Sequence, residues 1–261
     1  MTTVTKRGPW KIWFDVIFAL FAREIKISSN DKLGVSWSVL SPVMFILVLS
    51  FLRGRLNGGE THTIPTFLFM AYGLILVDAF ILTLNSGSGA IQKNKALFAF
   101  RQVQPISAVV AAGLFQLLVK VFVVIGIAIA TYFLKMNLHV ADPLGIIFNI
   151  ILLWISALCL GLLLGILTLY VPEIKKLQLL VTRPLFFISG VFFSLKDVPK
   201  EYWWLLDWNP ILHAIELSRY AAYPTYGNEG VSFNYLALFT LVVVFLTLAF
   251  YHNVWKQAIS R

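Results

Sequence analysis

Residues 106–134 read ISAVVAAGLFQLLVKVFVVIGIAIATYFL, and residues 144–171 read LGIIFNIILLWISALCLGLLLGILTLYV. About 20 apolar residues in a helix suffice to cross the hydrocarbon core of a bilayer. Both stretches exceed that length, so each can cross at a tilt or project beyond the lipid. Working outward, four more apolar stretches of crossing length appear at 33–52, 64–84, 177–195 and 231–255. The fold class that follows is an all-α integral membrane protein with six transmembrane helices. Alternating short strands, the mark of an outer-membrane barrel, are absent from the sequence.

Composition agrees. Of 261 residues, 59% are hydrophobic and only 13% charged, against about a quarter charged in ordinary soluble domains. Mean hydropathy is +0.83. Disorder, collagen, coiled coil and disulfide scaffolds are thereby excluded. The lone Cys159 leaves no disulfide within one chain and no thiolate metal cluster. Asp15, Arg23, Glu24 and Lys26 interrupt the first apolar stretch, and no small-residue cleavage site follows, so no signal peptide is expected.

Residues 10–27 have a different period. Trp10, Phe14, Ile17, Phe21 and Ile25 recur at helical spacing, with Lys11, Asp15, Ala19, Ala22, Arg23 and Lys26 on the other side. This predicts an amphipathic helix lying in the membrane plane. A helix packed on a soluble partner is the alternative.

With six spans both termini share a side. That side collects Lys6, Arg7, Lys11, Arg23, Lys26, Lys32, Lys93, Lys95, Arg101, Lys175, Lys176, Lys256 and Arg261, against the acids Asp15, Glu24, Asp31 and Glu173. The opposite side holds Arg53, Arg55, Lys135, Lys196, Lys200 and Arg219, with more acids than bases. The excess of Lys and Arg places both termini in the cytoplasm. The net charge of +9 is then a topology signal, and nucleic-acid binding is not needed to explain it.

Residues 196–224 read KDVPKEYWWLLDWNPILHAIELSRYAAYP. Two short apolar helical pieces flank Asn209-Pro210, and neither is long enough to cross. Asp207, His213, Glu216 and Arg219 would be costly in lipid. Two half-helices dipping back into the membrane fit, provided that protein or a wet path shields their backbone. An interfacial belt of Tyr202, Trp203, Trp204 and Trp208 fits composition equally well.

Catalytic motifs are missing. No G-x-x-x-x-G-K-[ST] loop, H-E-x-x-H pair or G-x-S-x-G elbow is present, and His62, His139, His213 and His252 are scattered. No metal site is expected. The cluster Ser86–Gly89 reads as helix-end punctuation. Inside the spans lie Lys120, Arg183 and Asp78. A cation facing lipid at mid-depth costs roughly 2.5–3.5 kcal/mol, so Lys120 and Arg183 need a partner or a wet path. One reading pairs one of them with Asp78. The other lines an anion-attracting lumen. Residues 85–106, NSGSGAIQKNKALFAFRQVQPI, read as a loop with a short helix at 90–101. Leu97, Phe98 and Phe100 would be exposed there, either to dock into a partner groove or to anchor at the interface. Gly161 and Gly165 mark either a dimer face or tight packing.

Several motifs together carry a resemblance: LGVSWSVLSP at 33–42, LFAFRQVQPI at 97–106, WNPILHAIELSR at 208–219 and EGVSFNYLALF at 229–239. In this order, behind an in-plane helix, they resemble the membrane subunits of type-2 ABC exporters for polysaccharides. The chain is most similar to the capsule polysaccharide export permeases of Gram-negative bacteria, the KpsM type. The resemblance spans essentially the whole chain. It implies a single transmembrane domain over 1–261, present as a homodimeric pore in the bacterial inner membrane. It implies a separate cytoplasmic ATPase subunit, which carries the ATP and magnesium. Residues 10–27 would be the interface helix. Residues 90–101 would be the coupling helix, with Lys95, Phe98, Phe100 and Arg101 at the ATPase contact. The region 196–230 would be the periplasmic gate, built from pieces at 198–207 and 209–221. Its candidate residues are Tyr202, Trp203, Trp204, Trp208, Asn209, Pro210, His213, Glu216 and Arg219. The implied cargo is a lipid-linked acidic capsular polysaccharide, passed to periplasmic and outer-membrane export proteins. Relatives often carry more arginine where this chain has Ser28-Ser29-Asn30-Asp31-Lys32.

Residue chemistry suits that cargo. Aromatic rings meet the C–H face of a sugar without fixing sequence. Trp37, Phe45, Tyr72, Phe186, Phe187 and Phe193 are candidates to line the substrate path, with Lys120 and Arg183 attracting acidic groups. Weak repeated contacts suit conduction. Other cargo (O-antigen, teichoic acid, a drug-like amphiphile) is the first alternative. A secondary carrier or an intramembrane enzyme is the second. A carrier should show paired broken helices in its two halves, and only one broken region is visible in the sequence.

Overall fold

A computed structural model describes residues 8–30, 32–57, 59–136 and 138–259. Lys6, Arg7, Asp31 and Arg261, counted above toward orientation, lie outside the described residues.

The chain is helical almost throughout. Helix α1 spans Pro9–Asn30 and α2 spans Lys32–Asn57. A two-rung antiparallel hairpin, β1 Glu60–Thr61 with β2 Ile64–Pro65, leads into α3, Thr66–Lys93. Helices α4 (Pro105–Phe133), α5 (Pro143–Tyr170), α6 (Ile174–Ile188), α7 (Pro210–Ala222) and α8 (Phe233–Ile259) follow. Among the described residues five helices are long and apolar enough to cross a membrane: α2, α3, α4, α5 and α8.

Local chemistry sets the helix starts. Pro105, Pro143 and Pro210 sit at first helical positions, where the missing N–H costs nothing. The Asp142 side chain accepts from the Gly145 N–H at 3.0 Å, and Asn209 caps Ile211 in the same way at 3.0 Å.

Helix α3 is the central element. It has 67% of its apolar window buried, against 11% for α2, whose Trp37, Leu40, Phe45 and Phe51 face outward. Small residues let α3 and α5 approach closely. A Cβ on Gly161 would stand 3.1 Å from the Leu84 carbonyl oxygen, and one on Gly165 would stand 2.9 Å from that of Ser88. Gly161 and Gly165 therefore serve packing within the chain.

Two ends can be told apart. The hairpin end gathers the start of α3, the end of α4, the start of α5 and all of α7. The Ala141 and Asp142 N–H groups donate to the carbonyls of Ala222 and Ala221 at 3.2 and 2.7 Å, tying α5 to α7. The opposite end gathers α1, the end of α3 and the start of α4 around Ile17, Leu20, Ile91, Phe98, Val109 and Leu162.

Four expectations need correction. Helix α3 does not stop at 84 but runs to Lys93, so Ser86–Gly89 lie inside a helix. Gly87 packs on Gly161 there, and tertiary packing overrides the weak helix propensity of Gly and Ser. The stretch 90–101, expected to form one short helix, does not form one. Only Lys95–Ala99 form a 3-10 turn after α3 ends. The stretch 177–195 does not make a full-length crossing helix. Helix α6 has 15 residues, about 22 Å, and contains Pro184. It ends where Gly190 takes a φ of +76° and Leu212 leaves no room for a Cβ. The chain still travels between the two ends, because Gln178 touches Asn85 and Ser88 while Val191 and Phe193 meet Arg219 at the hairpin end. Finally, the outward face of α1 differs from the pattern read for 10–27. Ile17 and Leu20 are buried with Trp13, Val16 and Phe21 beside them, whereas Trp10, Phe14 and Phe18 are exposed.

Candidate functional site

At the hairpin end, α7 is buried along nearly its whole length. Arg219 is fully enclosed. Its Nη1 donates to Glu216 Oε1 at 2.9 Å, and its Nε and Nη2 donate to the Phe69 carbonyl at 3.2 and 2.9 Å. Nη2 also reaches the Val191 carbonyl at 3.2 Å, and the guanidinium carbon lies 3.5 Å from the Phe69 ring centroid. The planar, many-donor guanidinium can satisfy α3, α6's trailing segment and α7 at once, which an ammonium could not. The other Glu216 oxygen accepts from the Tyr226 hydroxyl at 2.7 Å and from Ser194 at 3.2 Å. Burial, then the Glu216 carboxylate, pushes the Tyr226 phenol above its ordinary pKa, so it stays a donor. Lys196 bonds the Tyr226 carbonyl, and His62 of the hairpin lies 2.7 Å from Asp197.

His213, one turn before Glu216, has both ring nitrogens engaged. Nε2 donates to the Asp207 carbonyl at 2.6 Å, and Nδ1 accepts from the Ser232 N–H at 3.0 Å. Burial lowers its pKa from the usual histidine value, more than the Asp207 carbonyl raises it.

The residues expected at a gate therefore divide. Asn209, Pro210, His213, Glu216 and Arg219 are buried in α7 and its cap. Tyr202, Trp204 and Trp208 are exposed, and Trp203 is half-buried with its indole N–H on the Val198 carbonyl. The piece 198–207 is a 3-10 segment over Lys200–Leu205, and the piece 209–221 is α7. The first piece presents an aromatic surface, and the second is a buried helix.

At mid-depth Lys120 lies 3.5 Å from Asp78, joining α4 to α3. Asp78 also lines a cavity of about 410 Å³ with Ile81, Asn85, Leu179, Thr182, Arg183, Phe186 and Phe187. The pairing alternative holds for Lys120, and Arg183 is the cation left at the cavity. Of the proposed path residues the structure brings Arg183, Phe186 and Phe187 together. Tyr72 lines a different, apolar cavity between α3, α4 and α5, and Trp37 lies exposed on α2. Phe45 is exposed on α2 as well, while Phe193 is half-buried in the segment after α6, its carbonyl accepting from Arg219.

At the opposite end Phe98 is buried beside Ile17 and Leu20, contrary to the exposure expected of it. Lys95, Phe100 and Arg101 are exposed. Lys95 shares a groove of about 390 Å³ with Gln92, Thr168, Leu169, Pro172 and Lys175. The α1 helix is pinned to this segment. Arg23 donates to the Asn94 side chain, and Lys93 Nζ is 2.6 Å from Glu24 Oε2.

Sequence reasoning missed Tyr226, Ser194 and Phe69 around Arg219, and Asn94 and Glu24 at the other end. It also missed Asn85 and Gln178. A polar amide inside an apolar run was a usable signal for these two. For Tyr226 and Phe69 no local signal exists. Among the described residues no group of three or more His, Cys, Asp or Glu could hold a metal ion.

Five crossing-length apolar helices among the described residues and a buried charged helix at one end define a polytopic membrane protein. Residues 15–223 match the ABC-2 type transporter family, and the chain belongs to that family of transporter membrane components. It is 36% identical over 248 residues to the polysialic acid transport protein KpsM of Escherichia coli, covering 95% of this chain and 96% of the relative. It is 24% identical to the capsule polysaccharide export inner-membrane protein CtrC of Neisseria meningitidis serogroup A, over 90% of this chain and 89% of the relative. It is 21% identical to the corresponding protein BexB of Haemophilus influenzae, over 92% and 91%.

Proposed function

We propose that this chain is the permease subunit of an ATP-driven exporter of acidic capsular polysaccharide. The observation that carries the reading is end-to-end similarity to a polysialic acid transport protein, with 95% of this chain aligned. Two copies form the pore in the bacterial inner membrane. A separate cytoplasmic ATPase binds ATP and magnesium, since this sequence holds no P-loop. Periplasmic and outer-membrane proteins receive the polymer.

In this reading the segment from α6 through residue 195 completes a sixth crossing, so both termini lie in the cytoplasm with the excess of Lys and Arg. The hairpin end is periplasmic, and α7 with the 200–205 turn forms the gate. Helix α1 lies at the cytoplasmic interface with Trp10, Phe14 and Phe18 toward lipid. The ATPase meets Phe100, Lys95 and Arg101, and Phe98 holds that segment in place from behind. ATP-driven closure of the ATPase pair moves the 95–101 segment, and α3 carries the movement into the membrane.

The test is purification from native membranes in mild detergent, followed by the mass of the intact complex. Two copies of this chain with two copies of a P-loop ATPase are expected. The chain alone at every detergent strength would overturn the reading.

A further inference from the structure

We propose that the cavity between α3 and α6 is a subsite for one sugar residue bearing a carboxylate, with Arg183 as the partner of that carboxylate. The proposal rests on the polysaccharide-permease reading and names the chemistry of one step along the path.

Four observations carry it. First, the charge. The cavity is lined by one acid, Asp78, and one base, Arg183. Lys120 of α4, which is not part of the lining, stands 3.5 Å from Asp78 and offsets its charge. The group as a whole keeps one positive charge, and it belongs to the exposed guanidinium of Arg183. A guanidinium fork matches a planar carboxylate.

Second, the aromatic wall. Phe186 and Phe187 stand edge to face with centroids 5.4 Å apart, and Phe187 is 62% exposed. An open ring beside a cation suits a sugar, whose C–H face is apolar and whose rim is polar.

Third, the amides. Gln178 is buried and donates to Asn85 Oδ1 at 2.7 Å and to Ser88 Oγ at 3.0 Å. That fixes the Asn85 amide, with its oxygen occupied and its NH2 left as a donor at the cavity wall.

Fourth, size and depth. The lining forms an open groove of about 410 Å³, which suits a chain that slides past rather than a ligand that is engulfed. Asp78 lies 12 residues into α3, mid-way between the ends, where a polymer in transit must pass. A single exposed guanidinium and one ring give weak, reversible contact, which conduction requires.

The experiment uses the full-length protein in lipid nanodiscs and saturation-transfer NMR. The probes are a sialic acid tetramer and a neutral glucose tetramer. The sialic acid tetramer should show saturation transfer to the wild type. Arg183→Gln should weaken its binding at least about fivefold, the scale of one charge-assisted contact, and Arg183→Lys should recover part of it. Phe187→Ala should weaken both probes. Thermal unfolding of each variant reports folding independently. Equal binding of the two tetramers, or sialic acid binding unchanged in folded Arg183→Gln, overturns the subsite. Co-purification of the ATPase from the same membranes reports the permease reading separately. If the ATPase is retained while Arg183 is without effect, only the subsite falls.

Discussion

Arg219 donates through two nitrogens to the carbonyl oxygen of Phe69, 150 residues earlier in the chain, and stacks on the ring of the same residue. One side chain thereby fixes α7 to the first turn of α3. The charge is tolerable there because Glu216 stands 2.9 Å away and itself accepts from Tyr226. Removing one partner of a buried pair strands the other, at about 3–5 kcal/mol. Glu216→Gln should therefore lower the thermal midpoint of the purified protein sharply. Tyr226→Phe removes one hydrogen bond to the carboxylate and should cost less, about 1.5–3 kcal/mol. Equal midpoints for wild type and Glu216→Gln would show that the pair bears no load.

Acidification should loosen the same end through His213. Its Nε2–H donates to Asp207 and its Nδ1 accepts from Ser232, a pattern that only the neutral ring can make. Its pKa in the folded protein is lowered by burial. The unfolded chain then takes up the proton first as pH falls. Stability is full above the unfolded value near 6.5 and declines as pH drops below it toward the lowered folded value. Unfolding midpoints measured across that window should fall more steeply for the wild type than for His213→Gln. Parallel curves would remove His213 as the cause.

Much of this was readable from residues alone, and the failures share a cause. The apolar runs at 106–134 and 144–171 became α4 and α5 within a residue or so, because an unbroken apolar run of crossing length is a local signal. The pairing of Asp78 with either Lys120 or Arg183 was one of two open readings, since burying a lone charge is costly whatever the fold, and the structure gives the partner as Lys120. Helix α3 beyond residue 84 was not legible. Gly87 and Ser88 argue against a helix until Gly161 and Gly165 are seen packed on them. Nor was the burial of Phe98, which depends on Ile17 and Leu20 of a distant helix. The early end of α6 goes with Gly190 at a φ of +76° just past it, where an added Cβ would also meet the Leu212 side chain from across the fold.

The buried and exposed phenylalanines near residue 100 should behave differently. Phe98 fills the space between α1 and α4, so Phe98→Ala leaves a cavity and should cost about 3 kcal/mol of stability. Phe100 is 64% exposed, and Phe100→Ala should leave the stability within about 0.5 kcal/mol of wild type. On the proposed ATPase contact, Phe100→Ala should nevertheless separate ATP hydrolysis from polymer export in cells. Normal export in that variant would place the ATPase contact elsewhere.

Helix α1 should matter to coupling through Glu24. Glu24 Oε2 lies 2.6 Å from Lys93 Nζ, at the last turn of α3, and Arg23 beside it bonds Asn94. Lys93 is half exposed in this pair, so the pair itself contributes little, about 0–1 kcal/mol. Glu24→Lys should therefore fold normally and yet put two cations face to face where α1 meets the coupling segment. On the proposed ATPase contact, export per ATP hydrolysed should drop, because α1 no longer holds the end of α3 against a displacement passed on from that contact. The reversed pair Glu24→Lys with Lys93→Glu restores opposite charges, and it should recover export if the contact acts as a positioning link. A double-mutant cycle on export measures that coupling directly. Additive losses, with no recovery in the reversed pair, would leave the contact as surface charge and assign the link to Arg23 and Asn94 instead.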